Sequence, residues 1–293
     1  MEDYIAKAMV KNGQISIYAG VTTNTVEKAR ILHNMLPTPT VALGRVLTGA
    51  ALMSQTLKAM NQTITIQIKG DGPIGGIVAV TDYKAGVRGY VHNPYFDLSL
   101  NDAGKFDIKG AVGSGRLNVI KDLGLKEPYI GSVELVSGEI AEDLTYYYAY
   151  SEQTPTVMSL GVLIGPDYKV IAAGGIFIQL LPDASEDAIV AVEQGISDLK
   201  PVSALINEGK TPEEIIRLIF PKEDPVMLGT CPVSYKCTCS RERMEKNLMS
   251  IGKEDLSEIA QDEKGAELVC HFCNKKYHFT KEEIQKLLAQ SQE

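Results

Sequence analysis

The chain has 293 residues, with 29 Lys and Arg against 37 Asp and Glu and a net charge of −8, a balance that argues against duplex DNA or an anionic membrane as the main partner. Hydrophobic residues make up 44%, ample for a buried core, but no apolar run approaches the roughly eighteen residues of a membrane helix. Met1-Glu2-Asp3-Tyr4 lacks the basic and apolar regions of a secretory signal, so the expected location is cytoplasmic.

At about 150 residues per domain, the length predicts one large domain and a smaller one. Residues 4–10 and 14–19 read as strands around Asn12-Gly13, a two-residue hairpin signal. Residues 25–36 carry Val26, Ala29, Ile31, Leu32 and Met35 at helical spacing and stop before Pro37. A second helix, rich in Ala and Gly, is predicted over 41–57. Residues 63–69 alternate Thr-Ile-Thr-Ile-Gln-Ile-Lys, a strand with its isoleucines turned to a core. The Gly70-Asp71-Gly72-Pro73 turn leads to strands at 75–80 and 87–91. A strand at 132–136 enters a helix over 139–151 that holds Tyr146, Tyr147, Tyr148 and Tyr150. Apolar runs at 157–164 and 169–180 flank Gly165-Pro166-Asp167, a further hairpin. Connections this short favour antiparallel pairing, hence an α+β fold with a mainly antiparallel sheet and helices over residues 1–181.

From Pro182 the pattern becomes helical. Asp183-Ala184-Ser185-Glu186 resembles a capping box, and Ile189, Val192, Ile196 and Leu199 follow at helical spacing. A short helix over 202–208 ends at Gly209. Thr211-Pro212-Glu213-Glu214 is a strong helix start, with Thr as cap, Pro in the first turn and Glu three residues after the cap. Residues 182–230 are therefore expected to be a helical linker, with 222–229 as a hinge. The remainder, 231–293, holds 10 basic and 11 acidic residues, so the acidity belongs to the body of the chain.

All five cysteines lie in this last part, at Cys231, Cys237, Cys239, Cys270 and Cys273. A secreted, disulfide-stapled protein would not leave its larger part without a thiol. Cys237-Thr238-Cys239 and Cys270-His271-Phe272-Cys273 form two close pairs that could surround one tetrahedral Zn²⁺. The second pair has zinc-knuckle spacing, with a strand expected over 275–279 and Thr280-Lys281-Glu282-Glu283 capping a last helix. The first pair is tighter: side chains two apart on an extended strand point to opposite faces, so both sulfurs meet one ion only if the chain bends at Thr238. A Cys237–Cys239 disulfide would be strained and reversible. The bland alternative, small buried hydrophobes, does not explain the clustering. His271 and His278 flank the knuckle as alternative ligands, less favoured beside four thiols. A small domain with few large apolar residues needs stabilisation that a metal supplies, so oxidising the thiolates would remove metal and fold together.

The spacing Cys237-x-Cys239, thirty residues, Cys270-x-x-Cys273 resembles the redox-regulated 33-kDa heat-shock chaperone family. Lys236-Cys237-Thr238-Cys239-Ser240-Arg241-Glu242-Arg243, Gly70-Asp71-Gly72-Pro73 and Ser151-Glu152-Gln153-Thr154-Pro155 share the resemblance, which extends over the whole chain. It implies an ATP-independent holdase and not an enzyme. Reduced, Cys237, Cys239, Cys270 and Cys273 would bind one zinc ion and the protein would be inactive. Oxidised, they would pair as Cys237–Cys239 and Cys270–Cys273, release zinc, unfold the 231–293 redox-switch domain and linker, and expose surfaces for unfolding client proteins. The active form would be a homodimer. Cys231 stands outside the four-cysteine pattern, leaving room for disulfide exchange or an intermolecular bridge.

Other signals are weaker. Gly70 to Gly76 lacks the Gly-Lys-Ser/Thr end of a phosphate loop and reads as a turn; Gly113-Ser114-Gly115 lacks the third glycine of a dinucleotide fingerprint. His33 and His92 are lone histidines, expected to be structural. The tyrosine run could stack on RNA bases, but consecutive tyrosines on a helix face different ways and packing is favoured. The competing function is a zinc-ribbon nucleic-acid-binding module using Arg241, Arg243, Lys246, Lys275 and Lys276. A zinc enzyme is disfavoured, because four cysteines leave no open coordination position.

Overall fold

The computed structural model describes residues 1–101 and 104–290. Contacts divide the chain into two units, Met1–Lys236 and the residues from Cys237 onward. In the first unit the elements are β1 (Tyr4–Val10), β2 (Ile15–Val21), α1 (Thr23–His33), α2 (Pro37–Met53), β3 (Thr63–Gly70), β4 (Ile77–Asp82) and β5 (Gly86–Val91). They continue with α3 (Ile108–Val112), β6 (Gly115–Asp122), β7 (Tyr129–Glu134), α4 (Ala141–Tyr150), β8 (Thr156–Ile164) and β9 (Val170–Leu180). Three helices, α5 (Glu186–Ser197), α6 (Val202–Asn207) and α7 (Pro212–Ile219), precede β10 (Val226–Pro232) and β11 (Ser234–Tyr235).

Two sheets result, ordered β10-β1-β2-β9-β8 and β11-β5-β4-β3-β6-β7, antiparallel throughout except for the β11–β5 pair. This is the expected α+β fold. The hydrophobic pattern shows how each sheet is covered. In β3 only Ile64, Ile66 and Ile68 are fully buried while their polar neighbours lie outward, so this sheet has one core face. In β9 the run Ala172 to Ile178 is buried without alternation, because its sheet is covered on both sides. On one side α2 packs against both sheets, with Leu43, Leu47 and Leu52 in the shared core. On the other, Ala8, Ile17 and Ile176 meet Val192, Leu205 and Ile216 of α5, α6 and α7, and Phe220 just after them.

Four local expectations are corrected. The first hairpin loop has four residues, Lys11 to Gln14, since Val10 pairs with Ile15; Lys11, Asn12 and Gly13 all take positive φ. Helix α2 begins at Pro37, four residues early, because the N–H that a proline lacks would have no intrahelical partner in the first turn. Ser185, not Asp183, precedes α5, so the expected capping box is out of register. The segment taken as a hinge becomes, from Val226, an edge strand in register with Met9 to Tyr4 of β1.

The second unit contains α8 (Arg241–Ser250), α9 (Lys253–Ile259), β12 (Ala266–Val269), β13 (Lys276–Phe279) and α10 (Lys281–Gln290). Its small core gathers Met244, Leu248, Leu256, Phe279, Ile284 and Leu287. The predicted last helix cap is present: Thr280 N–H donates to Glu283 Oε2 at 2.9 Å, and Glu283 N–H to Thr280 Oγ1 at 3.4 Å.

Candidate metal centre

The second cysteine pair sits in the turn between β12 and β13. Cys270 N–H donates to Lys275 O at 3.0 Å, and Asn274 N–H to Cys270 O at 2.8 Å. Asn274 takes the left-handed conformation at φ 56°, which asparagine tolerates better than most residues and which reverses the chain tightly. The first pair lies just before α8. Ser240 caps that helix by accepting from Arg243 N–H at 3.3 Å, and Arg243 Nη1 reaches back to Thr238 Oγ1 at 2.8 Å, holding the residue between the two cysteines.

The segment before α8 and the turn between β12 and β13 bring the four predicted sulfurs together. All four Sγ atoms lie within 4.8 Å of one another. The short approaches run between the pairs: Cys237 to Cys270 at 3.7 Å and Cys239 to Cys273 at 3.5 Å. A tetrahedral zinc with Zn–S bonds of about 2.3 Å needs sulfur–sulfur edges of about 3.8 Å. The cluster therefore has the size of a four-sulfur metal site.

Its electrostatics point the same way. Burial pushes the Cys237 and Cys273 thiols up. Cys239 is half-buried, which also raises it, but the Tyr277 hydroxyl, donating to its Sγ at 3.1 Å, and the neighbouring sulfurs hold it down at about 7. Donating that hydrogen bond in turn pushes Tyr277 up. Of these three shifted thiols only Cys239 is disposed to ionise near neutrality. A divalent metal among the sulfurs would favour the thiolate form that Cys237 and Cys273 resist.

The remaining candidates fall elsewhere. Cys231 lies in β10, in register with Ile5 and packed on the first unit's core, and is not one of the clustered four. His278 Nε2 is 2.9 Å from Glu267, and neither it nor His271 joins the cluster among the described residues. His33 is buried with Nε2 3.3 Å from Tyr235 Oη, and His92 stacks on Tyr90. The Gly70–Pro73 loop is filled by protein: Asp71 Oδ1 accepts from Ser114 N–H at 2.7 Å, and a Cβ on Gly70 would stand 2.0 Å from Val112 O. Tyr147 and Tyr148 are buried, while Tyr146 and Tyr150 stack on each other at 5.6 Å.

The basic residues of the competing nucleic-acid reading are largely engaged. Arg241 bonds His278 O and Glu283 and lies over the Phe279 ring, Lys276 pairs with Glu267, and Lys275 lies over Tyr277. Sequence reading missed Tyr277. Its one visible signal was parity with Phe279 on the strand after the knuckle, which places both on one face. Among the described residues no helix is long and apolar enough to cross a membrane.

Comparison with known proteins agrees with the site. The model of the Hsp33 protein family matches residues 3–280. A 33 kDa chaperonin of Acetivibrio thermocellus is 54% identical over 98% of this chain and 97% of its own length. One from Caldanaerobacter subterraneus is 44% identical over the full length of both. The crystal structure of the 33 kDa chaperonin (heat shock protein 33 homolog) of Thermotoga maritima superposes with a TM-score of 0.91 at 38% identity, covering 99% of each chain. With two such full-length relatives and a family model that spans both units, this chain belongs to the Hsp33 family of chaperones.

Proposed function

We propose that the protein is an ATP-independent holdase switched on by oxidation, and that Cys237, Cys239, Cys270 and Cys273 are its switch. The observation that carries this is the four-sulfur cluster, all Sγ atoms within 4.8 Å of one another, inside a unit with a small apolar core. Zinc is the metal of choice for four thiolates, and when bound it would cross-link the segment before α8 to the turn after β12. In this reading residues 1–181 are the core domain, 182–230 the linker and 231–293 the redox-switch domain. A reducing compartment such as the cytoplasm keeps the thiols available.

Peroxide is the class of oxidant invoked. Two thiolates give two electrons to one peroxide; its O–O bond breaks into two hydroxides, two solvent protons (H⁺) neutralise them, and one disulfide and two waters result. The pairing Cys237–Cys239 and Cys270–Cys273 follows the family resemblance. Loop entropy favours it as well, because partners two and three residues apart remain close once the unit loosens. With its donors oxidised the unit loses zinc and fold, the linker helices loosen from the first sheet, and their buried apolar faces become available to unfolding clients, with homodimerisation in the active state.

The test is to treat zinc-loaded protein with peroxide at mild heat while following zinc, thiols and aggregation of an unfolding client. Release of about one zinc and loss of four thiols, with suppression that reductant reverses, is the expected result. Retained zinc without suppression would leave a structural metal site.

A further inference from the structure

Between helix α7 and the first cysteine pair the chain runs through residues 226–236, so loosening that starts at the cysteines reaches the helices along the backbone only through this stretch. Both sheets hold it. Strand β10 lies along β1 at the edge of one sheet, Val233 N–H donates to Asp3 O at 3.0 Å, and β11 lies parallel to β5 at the edge of the other. That parallel ladder is short: Ser234 N–H reaches Ala85 O at 3.5 Å and Lys236 N–H reaches Val87 O at 2.7 Å. The next main-chain groups on this edge of β5, the N–H and C=O of Gly89, are met by a side chain instead. Tyr235 Oη donates to Gly89 O at 2.8 Å and accepts from Gly89 N–H at 3.3 Å. His33 Nε2 stands 3.3 Å from the same oxygen, and because its one proton goes to Gly89, Oη faces His33 as an acceptor. The hydroxyl is thus fully used, on a ring that is 4% exposed. Lys28 Nζ donates to the Tyr235 carbonyl at 3.1 Å. A phenylalanine would supply the same apolar body, but the buried N–H and C=O of Gly89 would lose this partner.

We infer that Tyr235 is a clasp: it stops disorder that begins at the cysteines from running back into β10 and α7. It thereby sets how much heat the oxidised protein needs before it exposes apolar surface to clients. This deepens the proposed switch and rests on it. Only Lys236 separates Tyr235 from Cys237, so this side chain is the first buried anchor that a loosened cysteine segment pulls on. Behind it the next tie is the β10–β1 ladder, and behind that α7, which packs on β1 and β2.

Tyr235→Phe keeps the ring and deletes the hydroxyl. In the zinc-loaded variant the Gly89 amide should exchange with solvent roughly 5–100-fold faster, as expected when a buried group loses its partner, with zinc stoichiometry unchanged. After chelation at ambient temperature, wild type should lose exchange protection from Cys237 onward and keep it in β10 and α7. Tyr235→Phe should lose it in those elements as well. Lys28→Met removes only the bond to the Tyr235 carbonyl; it should shift the same pattern in the same direction by less, and it reads the clasp if Tyr235→Phe does not fold. Oxidised by peroxide, both variants should suppress client aggregation at a lower temperature than wild type. Identical exchange in β10 and α7 across zinc-free wild type and variants would overturn the clasp and leave the switch standing. Exchange that spreads as expected, with no suppression by any of the oxidised proteins, would uphold the clasp and overturn the proposed function.

Discussion

The two units solve the same problem with different materials. Residues 1–236 bury α2 between two sheets and cover the far side of one sheet with three helices, so their stability comes from apolar area. The second unit has a handful of buried apolar side chains, two short strands and three helices. A segment of under about 60 residues with such a core is marginal without a staple. Its four sulfurs occupy the place where a staple would act. A fold held by a few oxidisable atoms can be dismantled by chemistry that leaves the larger core untouched, and that asymmetry is what a redox switch requires.

On the proposed reading, in which the four cysteines hold zinc, the largest effect should come from removing the metal. Structural zinc contributes on the order of 10–16 kcal/mol in small zinc peptides. Chelation, or Cys270→Ala, should strip hydrogen-exchange protection from β12, β13 and α10 while β3 and β9 stay protected. Equal loss in both units would break the division between them. The reverse experiment targets the first core. Phe177 is fully buried and packs on Tyr148 at 5.0 Å and Tyr18 at 5.7 Å. Phe177→Ala should lower stability in denaturant by about 3–5 kcal/mol and leave zinc stoichiometry unchanged.

A third variant addresses the helical layer. A Cβ on Gly174 of β9 would stand 2.2 Å from Gly20 O and 2.3 Å from Ile206 Cδ1 of α6. Gly174→Ala should therefore cost about 1–3 kcal/mol and raise exchange in α6 ahead of the sheets. If α6 and the sheets open together, the three helices α5, α6 and α7 are not a separable layer.

What sequence could and could not convey follows from the range of each interaction. The isoleucine alternation of β3 and the cysteine spacings are local, and both were readable residue by residue. Strand β10 was not: its Pro, Gly and Lys neighbours read as a hinge, and its partner β1 lies more than two hundred residues away. The prolines at the start of α2 read as breakers because their position within the helix was unknown. Tyr277 escaped for a related reason, since its contact with Cys239 depends on the β12–β13 register and on a residue 38 positions upstream.

The smallest effect separates two helix starts that look alike in sequence. Before α7, Thr211 Oγ1 accepts from Glu214 N–H at 3.2 Å while Glu214 Oε2 accepts from Thr211 N–H at 2.8 Å, a reciprocal box. Before α5, Ser185 makes no such bond; its hydroxyl turns to Gln14 Oε1 at 2.8 Å, and the position three residues on is Ala188. Thr211→Ala should cost about 1 kcal/mol by thermal melting, and Ser185→Ala much less. The reciprocal box also has a pH signature. The Thr211 N–H holds the Glu214 carboxyl below its ordinary value of 4.5. A carboxyl depressed in the folded state stabilises above its unfolded value and loses that contribution as pH falls through the folded one. Thr211→Ala keeps that main-chain N–H, so the variant that reads this contribution is Glu214→Ala, whose difference from wild type should be full at neutral pH and shrink in acid below about pH 4.5. A difference that stayed constant into acid would deny the Glu214 carboxylate its part in the cap.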